Sequence, residues 1–173
     1  MILNILGPGG SGKSTLKFAL KKLNGFHTFV PITTRNMRKG EIDGIHYRFV
    51  TIEQFRSNNS IILIRDIGKD RLYGNDKYDI VNHKSVTITT LDVFGIRELE
   101  HLCIELKVVF LNIAEDERVK RMKRRGDSRG MISERLDIDK NFFQNISFKS
   151  PMLEINGGSV SEIIGRINNF LKD

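Results

Sequence analysis

The glycine-rich stretch GPGGSGKST at residues 7–15 constrains the fold of this chain more than any other feature. It matches G-x-x-x-x-G-K-[ST] and stands between the apolar run 2–6 and a segment, 13–23, in which leucines recur at helical spacing. In that context backbone N–H groups turn towards phosphate oxygens, and the following helix points its positive dipole end at them. Lys13 can reach the β- and γ-phosphates, while the Ser14 hydroxyl can hold a magnesium ion. The predicted nucleoside triphosphate site consists of Gly7, Pro8, Gly9, Gly10, Ser11, Gly12, Lys13, Ser14 and Thr15.

Composition indicates a soluble protein with a single domain. The 173 residues are 39% hydrophobic and 28% charged, the balance of an ordinary globular protein. No apolar run approaches the roughly 20 residues that span a bilayer, and the first residues lack the features of a secretion signal, so we expect no membrane partner. Cys103 is the lone cysteine and cannot form an internal disulfide. These features favour a cytoplasmic protein.

Short apolar segments alternate with helical patterns along the chain, which predicts an α/β fold with a five-stranded parallel sheet and helices on both faces. The expected strands are 2–6, 27–32, 86–91, 107–112 and 152–155, and the expected helices are 13–23, 93–102, 115–124, 133–145 and 160–171. Two stretches interrupt this alternation. We expect a core of about 1–32, 83–124 and 146–173, an inserted small lobe of about 33–82, and a short lid of about 125–145 whose tip, 125–131, is a flexible turn.

The inserted lobe contains the string TTRNMRKGEIDGIHYRFV at residues 33–50. Arg35 and Arg38 stand three residues apart among turn residues, and Tyr47 follows them. Farther on, Tyr73 comes just before a glycine. An arginine offers a planar fork of donors that suits a phosphate, and a tyrosine hydroxyl can complete such a clamp. Taken singly, each arginine is better explained as an ordinary solvated side chain.

Taken together, these motifs resemble the guanylate kinase family of P-loop nucleoside monophosphate kinases. The resemblance runs from GPGGSGKST through the string at 33–50, the following IEQF, LYG, Leu91-Asp92 ahead of Gly95, RMKRRG and ERL to EINGG near the last helix. The motifs keep the family's order and extend over nearly the whole chain. The resemblance implies a P-loop NTPase fold and an ATP-dependent phosphotransferase that converts GMP or dGMP to the diphosphate with Mg²⁺.

The resemblance also implies roles for individual residues. Those expected at the acceptor monophosphate are Arg35, Arg38, Tyr47 and Tyr73, with Glu41 orienting the clamp arginines and Asp92 reading the guanine edge. Those expected at the ATP phosphates and the transferring group are the P-loop Lys13 and the lid arginines Arg121, Arg125 and Arg135, and Asn156 falls where the adenine-side loop begins.

The basic residues of the chain concentrate between residues 118 and 125. The net charge of +7 is compatible with a nucleic-acid partner or with a pocket for several phosphates. At 100° per residue Arg118, Arg121 and Arg125 share one helix face, which we expect to point at the triphosphate. The stretch has no interleaved aromatic residues on which bases could stack, so we expect no nucleic-acid partner.

Four positions depart from the family's base-reading pattern, namely Pro31, Ile64, Asn75 and Thr90. Asp66 could replace a glutamate of the family if the strand register shifted by two residues, which would keep it on the same face. Losing such partners relaxes or changes base specificity. Two alternatives therefore remain: a related P-loop kinase for another (deoxy)nucleotide or a sugar phosphate, and a non-catalytic guanylate-kinase-like binding domain. The expected assembly is a monomer or a weak homodimer.

Overall fold

The computed structural model describes residues 1–37, 40–66, 68, 70–81, 86–102, 104–143 and 146–173. The predictions for Arg38 and Cys103 therefore lie outside the described residues. The chain divides into two compact units, a first unit of residues 1–27 and 86–173 and a second unit of residues 28–85. Within the described residues, no helix has both the length and the apolar character needed to cross a membrane.

The helices and strands of the described residues are, in chain order, β1 (Ile2–Leu6), α1 (Lys13–Lys21), β2 (Phe26–Thr28), β3 (Ile32–Thr33), β4 (Arg48–Phe49), α2 (Ile52–Ser57), β5 (Ile61–Asp66), β6 (Leu72–Asp76), α3 (Lys77–Val81), β7 (Val86–Thr89), α4 (Val93–His101), β8 (Leu106–Leu111), α5 (Glu115–Arg124), α6 (Arg129–Phe142), β9 (Met152–Ile155) and α7 (Val160–Phe170).

The first unit contains a five-stranded parallel sheet in the order β2-β7-β1-β8-β9. Every residue of the central strand β1 is buried, as expected for a parallel sheet that is covered on both faces. Leu3 of β1 packs with Leu20 of α1 and Ile167 of α7, whereas its neighbour Ile2 points to the opposite face because side chains alternate along a strand. The predicted α/β fold class is confirmed, and the parallel order brings the carboxyl ends of β1, β7 and β8 to one edge.

The second unit contains a four-stranded sheet in the order β4-β3-β6-β5. Ile32, Phe55, Ile61 and Leu72 form its small core. The helix α2 that supplies Phe55 begins at a capping box, in which Thr51 accepts from Gln54 N and the Gln54 side chain accepts from Thr51 N. Thr51 thus satisfies a main-chain donor that the helix itself leaves without a partner.

Two predicted elements differ from the structure by more than two residues at an end. The strand expected at 27–32 is two short strands, β2 in the first sheet and β3 in the second, with Pro31 just before β3. Proline has no N–H for a strand ladder, which fits a break at this point. The helix expected from 133 begins at Arg129, because the Ser128 hydroxyl accepts a hydrogen bond from Met131 N and caps the helix. The turn between α5 and α6 is therefore shorter than expected.

We predict that Gly74→Ala destabilises the second unit. A Cβ at Gly74 would clash with Ile61 Cγ2 and would lie 3.0 Å from Phe55 Cζ, both within the small core. Overpacking of this kind typically costs about 1–3 kcal/mol in the free energy of unfolding, which urea denaturation measures. The control is Gly130→Ala in α6, where a Cβ meets no atom within 4 Å and where alanine favours the helix. Equal stability of the Gly74→Ala variant and the wild type would contradict the prediction.

Candidate active site

The P-loop, residues 7–15, connects the buried end of β1 to the first turn of α1. Gly12 is the N-cap of α1 and has a φ of 101°, a left-handed conformation that favours glycine. Lys13 Nζ donates hydrogen bonds to Gly7 O at 2.5 Å and to Pro8 O at 3.0 Å, so the lysine folds back over the loop. The loop and the positive end of the α1 dipole thus surround the lysine ammonium group, which is the arrangement that an anionic ligand requires.

A cavity of about 410 Å³ opens beside the P-loop, and we call it the phosphate cavity. Its charged lining residues are all cations, and the remaining ones are glycines and hydroxyl residues. The lining consists of Gly10, Gly12, Lys13, Ser14, Thr15, Arg121, Arg124, Arg125 and Arg135. The structure therefore brings five of the nine predicted P-loop residues together with all three predicted lid arginines, and it adds Arg124, which the sequence analysis did not assign to the site.

The three lid arginines have different anchors. Arg121 Nε donates to Glu117 Oε1 at 3.0 Å and Arg121 Nη1 donates to Ser11 O at 3.1 Å, which ties α5 to the P-loop. Arg125 Nε donates to Asp127 Oδ2 at 2.8 Å in the turn after α5, and this hydrogen bond raises the pKa of Arg125. Arg135 makes no hydrogen bond or ion pair within the described residues, so its guanidinium has donors available for a phosphate.

Arg118 does not belong to the group that lines the phosphate cavity. The sequence analysis placed Arg118 with Arg121 and Arg125 on a phosphate-facing side of α5, but Arg118 is 7% exposed and is paired with Asp139 of α6 at 3.0 Å. The helical periodicity of α5 was predicted correctly, but the residue that meets Arg118 is supplied by another helix. Asp139 is a buried charged residue that the sequence analysis did not single out.

The loop after β7 carries Asp92, the predicted base reader. Asp92 is the N-cap of α4, and its side chain accepts a hydrogen bond from Gly95 N at 2.8 Å. The loop is held by Asn4, a fully buried polar residue in the otherwise apolar strand β1, whose Oδ1 accepts from Leu91 N at 2.7 Å and from Thr89 Oγ1. Asn4 is a further positioning residue that the sequence analysis missed, although an asparagine within ILNIL was a signal for it.

Asn156 lies directly after β9, at the same sheet edge as the P-loop. With its amide oriented so that the nitrogen donates, Asn156 reaches Asn112 O at 3.2 Å and Glu154 Oε1 at 3.0 Å. The side chain is exposed. Asn156 is therefore anchored to the loop that follows β8 and to β9 itself, but it is not among the residues that line the phosphate cavity.

The second unit brings four of the predicted clamp residues together around Arg35, which is 9% exposed. Glu41 accepts from Arg35 through both carboxylate oxygens, at 2.9 Å and 2.8 Å. Arg35 Nε donates to Tyr73 Oη at 3.2 Å, and the guanidinium carbon lies 5.1 Å from the centre of the Tyr47 ring. Hydrogen bonding to Glu41 raises the pKa of Arg35, so this residue is a permanent cation in a fixed orientation.

Two of the four positions that differ from the family's base-reading pattern, Ile64 and Asn75, lie on the paired strands β5 and β6. A β-bulge places Leu63 and Ile64 opposite Gly74, so that Arg65, and not Ile64, pairs with Tyr73. Asp66 then pairs with Leu72, whose side chain faces the small core on the side of the sheet opposite to Tyr73. The interpretation that Asp66 could stand in as a base reader on the Tyr73 face is therefore wrong, because one extra residue reverses every face beyond it.

Asn75 occupies the Tyr73 face two residues farther along β6. It is 4% exposed, and within the described residues its Oδ1 has no hydrogen-bond partner. Residues two apart in a strand share a face and are separated by about 6.6–6.8 Å along it. A buried amide with an unused acceptor therefore accompanies the Arg35–Tyr73 group on one face of the second unit.

The guanylate kinase family model matches residues 2–173. The chain belongs to the guanylate kinase family. The guanylate kinase of Helicobacter pylori is 34% identical over 143 residues, which cover 78% of this chain and 69% of that relative. The guanylate kinase of Vibrio cholerae is 32% identical over 161 residues, covering 83% of this chain and 74% of the relative.

Solved structures share the fold of this guanylate kinase family member. The crystal structure of guanylate kinase from Anaplasma phagocytophilum aligns with a TM-score of 0.64 at 22% identity and covers 99% of this chain and 84% of its own. The deoxyadenosine kinase from M. mycoides with bound dATP aligns with a TM-score of 0.54 at 16% identity and covers 100% of both chains. The predicted family, the P-loop kinase fold and the class of ATP-dependent phosphotransferase are thus confirmed.

In this guanylate kinase family member, the protonation of Lys13 depends on whether an anion is bound beside it. Burial is the main cause that lowers the pKa of Lys13 from 10.5 to about 8, and the positive charge of Arg135 is the next. Phosphate oxygens arriving in the cavity would supply opposite charge and raise this pKa again. Above pH 8 the charged form of Lys13 therefore predominates only when an anion is bound.

We predict that ATP binding at pH 8.5 is accompanied by proton uptake. With a pKa of about 8 in the free protein, Lys13 is mostly neutral at this pH, and the bound phosphates make it fully charged. Calorimetry in buffers of different ionisation enthalpy should therefore show uptake of about 0.7 proton per ATP, because the phosphates themselves, with a pKa of about 6, are already ionised. Lys13→Arg is the control, since an arginine stays charged and takes up no proton. Equal uptake by the wild type and the Lys13→Arg variant would exclude Lys13 as the group that is protonated.

Proposed function

We propose that this protein transfers the γ-phosphoryl group of ATP to GMP or dGMP and releases the two nucleoside diphosphates. The phosphate cavity is the observation that carries the proposal, because five cations and no carboxylate line it among the residues that the structure describes. Such a lining suits a ligand with several negative charges, and membership of the guanylate kinase family supports the choice of substrates. The second unit supports an anionic acceptor, since it presents an oriented arginine among tyrosines.

The residues of the first unit would act on the donor. Phosphoryl transfer proceeds through a loose transition state whose charge is spread over the equatorial oxygens, so catalysis rests on positioning and electrostatic stabilisation. Lys13 and the P-loop N–H groups would hold the β- and γ-phosphates. Arg121, Arg125 and Arg135 would neutralise charge on the transferring group, and Arg135 has the most donors available for this.

The residues of the second unit would hold the acceptor phosphate. Glu41 takes up two of the N–H donors of Arg35, which fixes the plane of the guanidinium. Tyr73 accepts a hydrogen bond from Arg35 through its oxygen, so its own O–H is free to donate to a phosphate oxygen. Tyr47 and Arg38 complete the proposed clamp. No general base is required, because the acceptor phosphate is already ionised near neutral pH.

Mg²⁺ is part of the proposal. The Ser14 hydroxyl lines the phosphate cavity next to Lys13, and oxygen ligands are the ones that Mg²⁺ prefers. The rest of the lining is cationic, which fits a metal that arrives with ATP and takes its other ligands from phosphates and water. Bound there, Mg²⁺ would neutralise charge on the β- and γ-phosphates. We further propose that the protein acts in the cytoplasm as a monomer or weak homodimer, without a nucleic-acid partner.

The second candidate function is phosphorylation of another (deoxy)nucleoside monophosphate or of a sugar phosphate. The β-bulge in β5 favours it, because it places Arg65 opposite Tyr73. An arginine only donates hydrogen bonds and cannot accept them from the N1–H and amino groups of guanine. Asn75 on the same face offers an amide that can donate or accept. The acceptor base would then be read chiefly by Asp92.

A coupled assay with ATP and a panel of acceptors tests the proposal. We expect kcat/KM to be about tenfold or more higher for GMP or dGMP than for AMP, UMP and ribose 5-phosphate, because only guanine pairs fully with a carboxylate reader. Lys13→Met serves as the control for activity from contaminants and should lower kcat about 10²–10³-fold. A higher kcat/KM for AMP, UMP or a sugar phosphate than for GMP would replace the proposed acceptor with the second candidate.

We predict that Asp92→Asn lowers kcat/KM for GMP about tenfold or more and leaves the value for AMP within about twofold. The carboxylate can accept from both guanine donors, whereas the amide has one acceptor and adds a donor that opposes them. Asparagine is as good an N-cap as aspartate, so the hydrogen bond to Gly95 N and the melting temperature should be retained. A parallel loss with GMP and AMP would show that Asp92 does not read the base.

A further inference from the structure

A buried ion pair joins two helices of the first unit to the P-loop. Asp139 of α6 and Arg118 of α5 are each 7% exposed, and Asp139 Oδ2 lies 3.0 Å from Arg118 Nη1. The same Oδ2 accepts a hydrogen bond from Gly9 N at 2.8 Å, and Arg118 Nη1 donates to Gly9 O at 3.2 Å. Both main-chain polar groups of one P-loop residue are therefore held by side chains from distant parts of the sequence.

Arg118 also holds the connection that follows β8. Its Nε donates to Ile113 O at 3.1 Å, just before α5 begins at Glu115. The guanidinium thus connects three separate segments: the P-loop, the loop after β8, and α6. A planar group with five fixed donors can bridge in this way, which a lysine at the same position could not do.

Stability alone does not account for this pair. A buried ion pair carries a desolvation penalty that apolar residues of similar volume avoid, so it contributes little to the free energy of unfolding. An apolar pair could fill the same space between α5 and α6. It could not, however, hold the N–H and C=O of Gly9 in one orientation, and that is what the charged pair adds.

Arg135 stands one helical turn before Asp139 on the same face of α6. A Cβ built on Gly9 would lie 2.7 Å from Arg135 Cγ and 2.8 Å from Arg135 Nε, so the Arg135 side chain crosses directly over this glycine. Asp139 binds Gly9 and belongs to the helix that carries Arg135. It therefore controls how close Arg135 comes to the P-loop and to the phosphate cavity.

We infer that Asp139 and Arg118 are positioning residues for phosphoryl transfer, which together hold Gly9 of the P-loop and, through α6, keep Arg135 above it. This inference rests on the proposed kinase function. Neither residue lines the phosphate cavity, and Asp139 Oδ2 already accepts from two donors. The pair thus acts through Gly9 and Arg135 and does not contact the substrate.

The double variant Arg118→Met/Asp139→Val is the sharpest test. Replacing one partner would leave the charge of the other buried and unpaired. Replacing both partners removes the contacts to Gly9 and leaves no unpaired charge behind. Burial and the positive charge of Arg135 are the main causes that lower the pKa of Lys13. Asp139 raises this pKa and Arg118 lowers it, so removing Asp139 and Arg118 together largely preserves the net charge around Lys13. We expect a melting temperature equal to or above that of the wild type, a kcat lower by about 10- to 100-fold, and a KM for the acceptor within about threefold.

Three further comparisons separate positioning from packing. Arg118→Lys keeps a charge for Asp139 and should recover part of the lost kcat. The matched control is Asp116→Leu/Lys120→Met, which removes an exposed ion pair of the same helix and should leave kcat within about twofold.

In an Arg135→Met background, the Arg118→Met/Asp139→Val exchange should lower kcat only about threefold, because the effects of residues that act through one another are not additive. A full additive loss in that background would overturn the role of Arg135.

Binding of ATP provides a readout that does not depend on turnover. Calorimetric titration with ATP should give a Kd about fivefold or more higher for the double variant than for the wild type, because the P-loop is no longer preorganised. If the wild type phosphorylates none of the acceptors, the proposed function fails, but this titration still decides the inference. A double variant with kcat within about threefold of the wild type, or with an unchanged Kd for ATP, would overturn it.

Discussion

Electrostatic repulsion among the cations of the phosphate cavity is the constraint on which the arrangement of the first unit depends. The cavity brings one lysine and four arginines together, and no acidic residue of the described part of the chain lines it. Opposite charges are instead placed behind the lining: Glu117 pairs with Arg121, and Asp127 pairs with Arg125. This arrangement limits the repulsion without filling the space that phosphates occupy. The positive charge that stays unbalanced affects Lys13. The pKa of Lys13 falls mainly because its side chain is buried and then because of the positive charge of Arg135.

In the second unit the charge of a buried cation is balanced in a different way. The Arg35 guanidinium has its charge matched within the unit by the bidentate carboxylate of Glu41, and its central carbon lies 5.1 Å and 5.5 Å from the centres of the Tyr47 and Phe49 rings. Such a group binds an anion less strongly than an unpaired one, but it is held in a single orientation. The contrast fits the proposed division of roles. In that proposal the first unit would supply excess positive charge where charge develops in the transition state, and the second unit would supply a fixed frame that orients an acceptor.

Sequence patterns predicted those features that depend on local periodicity. The spacing of the P-loop and the helix at 115–124 were predicted with the bounds that the structure shows, because hydrophobic repeats and glycine positions act over a few residues. The start of α6 was missed because the capping role of Ser128 depends on one hydrogen bond. The environment of Arg118 could not be predicted, since it depends on Asp139, which is 21 residues away in the sequence and lies on another helix. Periodicity shows which residues share a face but not what that face contacts.

The β-bulge in β5 shows that one extra residue in a strand changes which side chains share the face of a site. Without the extra residue, Ile64 would pair with Tyr73, and Asp66 would share their face two residues farther along. With it, Arg65 takes that position, and Leu63 adopts a φ of 56°, which is rare for a β-carbon-bearing residue. Because this conformation is unfavourable for leucine, it persists only where the surrounding contacts enforce it. The replacement of a possible acceptor by a donor on the Tyr73 face therefore follows from the backbone of the second unit. Under the proposed function, base selection would depend more on Asp92 and Asn75 than the motif string alone implies.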